Sequence, residues 1–587
     1  MRSRWPLVFI GIIAIVQAAS SRARAEDAPR DTPSREQDVR GLQVFFDELQ
    51  TAVERSRGYT AVVSALERRE HEGRNGEQQR RLVADLAALA EARRLAITAL
   101  EAFVTQHPDD PDLTPDALLR LAELRYQDTT DRYTEELERW TALAERQQEG
   151  EAVELPAEPT RDDSRCIDLT RRIVRQFPGF PHIDGALVLL GLCLSEAGEL
   201  EEALSAFLHL ACADHFQYSG PPAPGAAPAA PSAAPPGPFV DPYASCSPVV
   251  EGSRFVTEAW FRIGELHFDY DLESYGLDRA IAAYRNAARD RGSRLHEIAL
   301  YKLAWSFYRA DRYPDAIEQF VAVATLAAQT STVRPEAITY LGICFAEDDW
   351  DLDLQSDAAR GIDRLQDPAL LPQDLDLTRE VSVATANTYF DLARYDDAIA
   401  VYELILRRWP LALEAPRMLE RVVTSHERER RLDEAAAARH RLSSFGPGSE
   451  WQRLHASTDP ETVAEAGEMA RNALYDAAVR HHQVAQQLRQ AAIAAGTAEQ
   501  QQRAVEEYGR AVEGYRAYLE RYPQDPDTYE LTYNMAEALF FSERYREAAE
   551  VYASVRDSTL DDRFREEAAR GAARALELLR EGETHAP

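Results

Sequence analysis

His209, Cys212 and His215 stand three residues apart. On a helix that spacing turns side chains toward one face, and imidazole with thiolate is a zinc-type ligand set. A closed site needs a further ligand. Cys212 also has a competing role, because Cys212 and Cys246 flank an insertion that a disulfide between them would close. The reading is therefore a disulfide rather than a metal site. Asp349, Asp351 and Asp353 alternate as in a calcium loop, which requires Gly at its sixth position and Glu at its twelfth. Those positions hold Leu354 and Arg360, so an acidic connecting loop is expected. His481 and His482 are adjacent, point to different faces of a helix and read as solvated. The chain contains no H-E-x-x-H, no G-x-S-x-G and no phosphate-cradling G-x-x-x-x-G-K. The expectation is no catalytic residue, no cofactor and no metal: not an enzyme.

The elements that carry these residues repeat. Arg312-Tyr-Pro-Asp-Ala-Ile317 is followed by Phe320, and the pattern returns at Arg394–Ile399 with Tyr402 and at Arg544–Ala548 with Tyr552. Looser copies are Glu199–Ala203 with Phe207 and Gly276–Ile281 with Tyr284, and a sixth, Arg431–Ala435, has Arg439 in the aromatic position. Ala280 to Ala316 is 36 residues, while Ala398 to Ala435 and Ala511 to Ala548 are each 37. Such a period fits a helix-turn-helix unit. First helices carry apolar residues at spacings of three and four, as in Leu300, Leu303, Ala304 and Phe307. A small residue closes each set (Gly264, Ala304, Gly342, Ala386, Ala536), which lets two helices approach closely. Each hairpin leaves apolar surface that only a neighbour covers, so the units must stack. Strand patterns are nearly absent.

These residues resemble the tetratricopeptide repeat family over roughly residues 85–580. The unit with Ala386, Tyr389, Ala398, Tyr402 and Pro410 matches its signature well, and Ala511, Tyr515, Tyr518 and Pro523 match its second half. The resemblance implies an all-α fold, an α-solenoid of interrupted helical hairpins with long helices near both ends. It also implies that a protein partner binds a concave face lined by first helices. By position, Arg262, His267, Lys302, Trp305, Ser306, Thr339 and Asn387 are the candidate partner-binding residues.

The ends and the composition narrow the setting. Arg2 and Arg4 precede an apolar run from Pro6 to Val16 and the small-residue site Ala23-Arg-Ala25, which reads as a signal peptide cleaved after Ala25. The mature chain is then expected to be exported, in the periplasm or beyond, with no membrane span after signal removal. Net charge is −34, which disfavours nucleic acid as a partner because counterion release needs clustered positive charge. It is compatible with a basic partner steered in by the field. Lys302 is the only lysine, and this arginine bias suggests a GC-rich bacterial source. Cys166 and Cys193 fall on consecutive helices and are able to pair, while Cys344 reads as a buried free thiol.

The expected organisation is a signal peptide at 1–25, then a leader and N-terminal long helices at 26–107. Repeats with an insertion occupy 108–218, a Pro/Ala-rich loop 219–250, and further repeats 251–445. A long helix, C-terminal repeats and a capping helix complete 446–587. The function expected is a non-catalytic interaction scaffold of the bacterial cell envelope. In repeat style and export it resembles outer-membrane assembly, Tol-Pal coordinator and gliding-motility repeat proteins. A self-assembling structural component and an accessory subunit of an enzyme are the alternatives; neither the oligomeric state nor the partner's identity is legible.

Overall fold

The computed structural model describes residues 76–221, 241–270, 276–326, 331–373, 375–495 and 498–584. The expected signal peptide, the leader and most of the Pro/Ala-rich loop lie outside the described residues. The fold is all-α, with no strand among the described residues. The chain forms two compact units, residues 1–306 and 307–587. The division falls inside a helix.

In the first unit, α1 (Gly76–Gln106), α2 (Thr114–Gln148), α3 (Ser164–Gln176), α4 (Ile183–Glu196), α5 (Leu200–Ala211), α6 (Val256–Tyr270) and α7 (Gly276–Ala287) follow in order. Consecutive helices pack on one another from α1 through α7. Helix α8 (His296–Arg309) carries the chain across the division. The second unit holds α9 (Tyr313–Leu326), α10 (Arg334–Ala346), the one-turn α11 (Gly361–Arg364), α12 (Leu375–Asp391), α13 (Tyr395–Arg408), α14 (Ala415–Arg428) and α15 (Leu432–Leu442). There follow α16 (Glu450–His455), the 36-residue α17 (Pro460–Ala495), α18 (Ala498–Arg521), α19 (Thr528–Phe541), α20 (Tyr545–Arg556) and α21 (Arg565–Thr584). No helix among the described residues is long and apolar enough to cross a membrane.

The repeated residues do the packing expected of them. The motif alanines Ala203, Ala280, Ala316, Ala398, Ala435, Ala511 and Ala548 are buried, as are Phe207, Tyr284, Phe320, Tyr402, Tyr515 and Tyr552. Burying one such aromatic stabilises the fold by roughly 2–3 kcal/mol. The small first-helix residue is sterically required: a Cβ on Gly191 would lie 2.6 Å from the Phe207 ring, and one on Gly264 2.5 Å from Tyr284. Any larger side chain would push the second helix away.

Four of the described hairpins share one turn. Asp311, Ala393, Arg430 and Glu543 all adopt left-handed backbone, with φ between 55° and 63°. The next residue then donates its N–H back to the helix it has just left, Arg394 to the Tyr389 carbonyl at 2.8 Å and Arg544 to that of Leu539 at 3.0 Å. This closes the helix C-terminus as a Schellman-type cap does. The motif arginine opens the second helix by bonding the acid three residues on: Arg312 to Asp315 at 2.9 Å, Arg394 to Asp397 at 2.9 Å, Arg544 to Glu547 at 2.8 Å. An acid in the first turn also complements the helix dipole.

The insertion after α10 takes the place of a second helix. It supplies only α11, and α10 packs directly on α12, where a Cβ on Gly342 would lie 2.7 Å from the Ala384 backbone. Buried Arg364 holds this segment together. Its guanidinium lies 3.8 Å from the Trp350 ring centroid and bonds the Asp357 carboxylate and the Glu347 carbonyl. After α15, Phe445–Ser449 break the helix, and buried Trp451 of α16 donates its indole N–H to the Ala412 carbonyl at 2.7 Å.

Candidate functional site

The residues that sequence position puts on the first-helix face divide into four groups. Thr339 on α10 is exposed and bonds only its own helix, its hydroxyl donating to the Pro335 carbonyl. Arg262, Lys302 and Trp305, on α6 and α8 of the first unit, are half-buried. Arg262 bonds Glu258 at 2.7 Å. Lys302 pairs with Glu265 at 3.0 Å, and its ammonium stands 5.2 Å from the Phe268 ring centroid. Trp305 packs edge-on against Tyr301.

His267 and Ser306 require correction, because neither offers surface to a partner. His267 is 1% exposed, and its Nε2 lies 3.1 Å from the Tyr243 hydroxyl. Burial, with the nearby Arg279 charge, lowers its pKa to about 4. Ser306 is fully buried and donates to the Lys302 carbonyl one turn back. Both sit at helical spacing from core residues, His267 four after Ile263 and Ser306 three after Leu303, so their periodicity marked them as interior.

Asn387 belongs to a fourth arrangement that the sequence did not disclose. Its Oδ1 accepts from the Tyr402 hydroxyl at 2.6 Å. In the same way Tyr284 donates to Glu265 at 2.5 Å, and Tyr552 donates to Glu537. The three acceptors directly follow the small residues Gly264, Ala386 and Ala536. The close approach that the small residue permits thus brings the tyrosine across to the next side chain, latching second helix to first. Burial and the Glu265 carboxylate hold the Tyr284 phenol well above its ordinary pKa. In the sixth copy, Arg439 stands in the aromatic position and bonds Glu427 of the first helix instead. Asn387 is therefore a hairpin latch before it is a partner contact.

The other candidates for chemistry are placed as follows. Cys212 and Cys246 are joined by a disulfide, as are Cys166 and Cys193, and Cys344 is a buried free thiol. His209 is half-buried, with its pKa lowered by burial; Cys246, rather than His209, completes a cluster with Cys212 and His215. The carboxylates of Asp349, Asp351 and Asp353 come together in the loop, where Asp349 accepts the N–H groups of Asp353 and Leu354. His481 is partly exposed and bonds Glu507 at 2.7 Å. His482 is not solvated: it is 7% exposed, its Nδ1 lies 2.9 Å from the Tyr515 hydroxyl, and burial lowers its pKa to about 4.

Residues 298–326, the α8–α9 segment, match the tetratricopeptide repeat. No curated protein matches the chain. Among solved structures, that of Naa15/Naa10 bound to HypK-THB is similar at 12% identity and a TM-score of 0.27. That match covers 85% of this chain and 66% of the other, just under two thirds of its length. The crystal structure of yeast Tom70 is similar at 14% identity and a TM-score of 0.16, covering 92% of this chain and 97% of that one. The chain therefore carries a tetratricopeptide repeat at 298–326, within a fold of packed helical hairpins.

Proposed function

We propose that this protein is a non-catalytic scaffold that binds another protein through the first-helix face of its hairpins. The observation that carries the reading is the tetratricopeptide repeat at 298–326, set among hairpins built on the same buried alanine and aromatic positions. Hairpin arrays of this type present extended surfaces suited to a peptide or helix. In the first unit the half-buried Trp305 is the contact we assign, with Arg262 and Lys302 beside it on the first helices; in the second unit it is the exposed Thr339. The acidic chain, at −34, favours a partner with a basic segment. The basic, apolar and small-residue order of residues 1–25 favours an exported protein of the bacterial envelope. Two disulfides are in keeping with that setting.

A photo-cross-linking amino acid at Trp305 or Thr339, irradiated in extract of the source organism, tests this. A discrete cross-linked protein from both positions, and not from exposed Leu560, is expected. Identical patterns from all three positions, or none from either first-helix position, would refute it.

A further inference from the structure

Cys212, His215 and Cys246 present their Sγ, Nδ1 and Sγ atoms within 4.8 Å of one another. We propose that this corner is a second, redox-controlled site: a disulfide in oxidising surroundings and, once reduced, a tetrahedral site for a zinc-type divalent cation. The ligand set is two thiolates and one imidazole, with the exposed side left for solvent in the fourth position.

The geometry is that of such a site. Zinc–sulfur bonds of about 2.3 Å and zinc–nitrogen bonds of about 2.0 Å set a tetrahedral sulfur–nitrogen edge of about 3.5 Å. Cys212 Sγ lies 3.6 Å from His215 Nδ1. The two sulfurs need only move apart to about 3.8 Å, on residues whose Cα atoms are 4.5 Å apart.

Hydrogen bonds besides the disulfide also tie the corner together. Ala213 donates its N–H to the Ser247 carbonyl at 2.8 Å, and Ser247 donates to the Asp214 carboxylate at 2.9 Å. Val249 donates to the Leu210 carbonyl at 3.0 Å. The N–H groups of His215 and Phe216 both return to the Cys212 carbonyl, which fixes the turn that aims the imidazole at the sulfur. Cys212 is fully buried, while His215 is exposed, so an ion has one sheltered anchor and an open entry side. The other bridge, Cys166–Cys193, has no such cluster around it among the described residues.

Reduction by a phosphine balances simply. Phosphorus attacks one sulfur and the S–S bond breaks; water then releases that sulfur, leaving a phosphine oxide and two thiols. The cation displaces both thiol protons to solvent and takes the Nδ1 lone pair of neutral His215, whose remaining proton stays on Nε2.

The test uses the full chain, reduced with a phosphine, desalted without oxygen and titrated with cobalt(II) alone. Expected is one cobalt per chain, with thiolate-to-cobalt charge-transfer absorption and tetrahedral visible bands, displaced by zinc; the oxidised chain shows neither. Iodoacetamide mapping should find Cys212 and Cys246 protected by zinc, with Cys166 and Cys193 still alkylated. His215→Ala, with unchanged helicity by circular dichroism, should bind cobalt at least about tenfold more weakly. Failure of the reduced chain to give the tetrahedral spectrum overturns the proposal. So does protection of Cys166 and Cys193 in place of Cys212 and Cys246.

Discussion

Replacing His482 with Gln should remove an acid sensitivity built into the second unit. His482 projects from α17 between Tyr508 and Tyr515 of α18, with ring centroids 5.6 and 5.8 Å away. Burial lowers its pKa from 6.5 to about 4. The sign follows directly. Above pH 6.5 the imidazole is neutral in both folded and unfolded chains, and protonation costs nothing. As pH falls below that value the unfolded chain takes up a proton the folded chain refuses, so stability declines until about pH 4, where the folded form also protonates. Between pH 7 and pH 5 the loss works out at about 2 kcal/mol, and the full loss at about 3 kcal/mol. Amide exchange over residues 460–521 at the two pH values reads this locally. Wild type should lose about 2 kcal/mol of protection more than His482→Gln, whose amide stays neutral while still meeting the Tyr515 hydroxyl. An equal loss in both proteins would refute the assignment, as would an NMR titration placing His482 near 6.5.

The same experiment on His267→Gln, read over α6 and α7, should show a parallel effect in the first unit, since its pKa also falls to about 4. Tyr402→Phe removes the latch to Asn387 and should cost about 1 kcal/mol in urea unfolding; Tyr552→Phe, whose acceptor is a carboxylate, should cost up to about 2 kcal/mol. Ala393→Gly and Glu543→Gly relieve left-handed backbone and should each stabilise by about 1 kcal/mol, read as a higher melting temperature. Arg364→Ala strips the partner from Asp357 and the Glu347 carbonyl, and should cost about 3 kcal/mol, with faster proteolysis within 347–373. Light scattering separates the two readings: a concentration-dependent oligomer would favour self-assembly, and a monomer at all concentrations would end it.

The hairpins were legible because their contacts are short-range and repeated. A buried alanine, an aromatic four residues later and a small residue on the preceding helix recur at a fixed period, and each satisfies a local steric need. Other features carry no such mark. The hairpin turns adopt φ > 0 at Asp311, Ala393, Arg430 and Glu543, none of them glycine, so nothing in those residue types signals the conformation. The tyrosine latches unite residues 15 or 19 positions apart and become visible only when the helices meet. His267, Ser306 and His482 were misread for a different reason. Polar type suggested exposure, although their spacing from Ile263, Leu303 and Ala478 placed them on interior faces. The cluster at Cys212 needed Cys246 from across an insertion, where sequence offered His209 as a nearer partner. Among the candidate partner positions, His267, Ser306 and Asn387 turned out to be used by the hairpins themselves.

Once the cross-linked partner is purified, amide exchange of the chain with and without it tests the central claim most directly. The account predicts protection concentrated on α6, α8, α10 and α12, around Trp305 and Thr339, with the second helices α7, α9 and α13 unchanged. Protection confined to those second helices or to residues 347–373, or none anywhere, would contradict it.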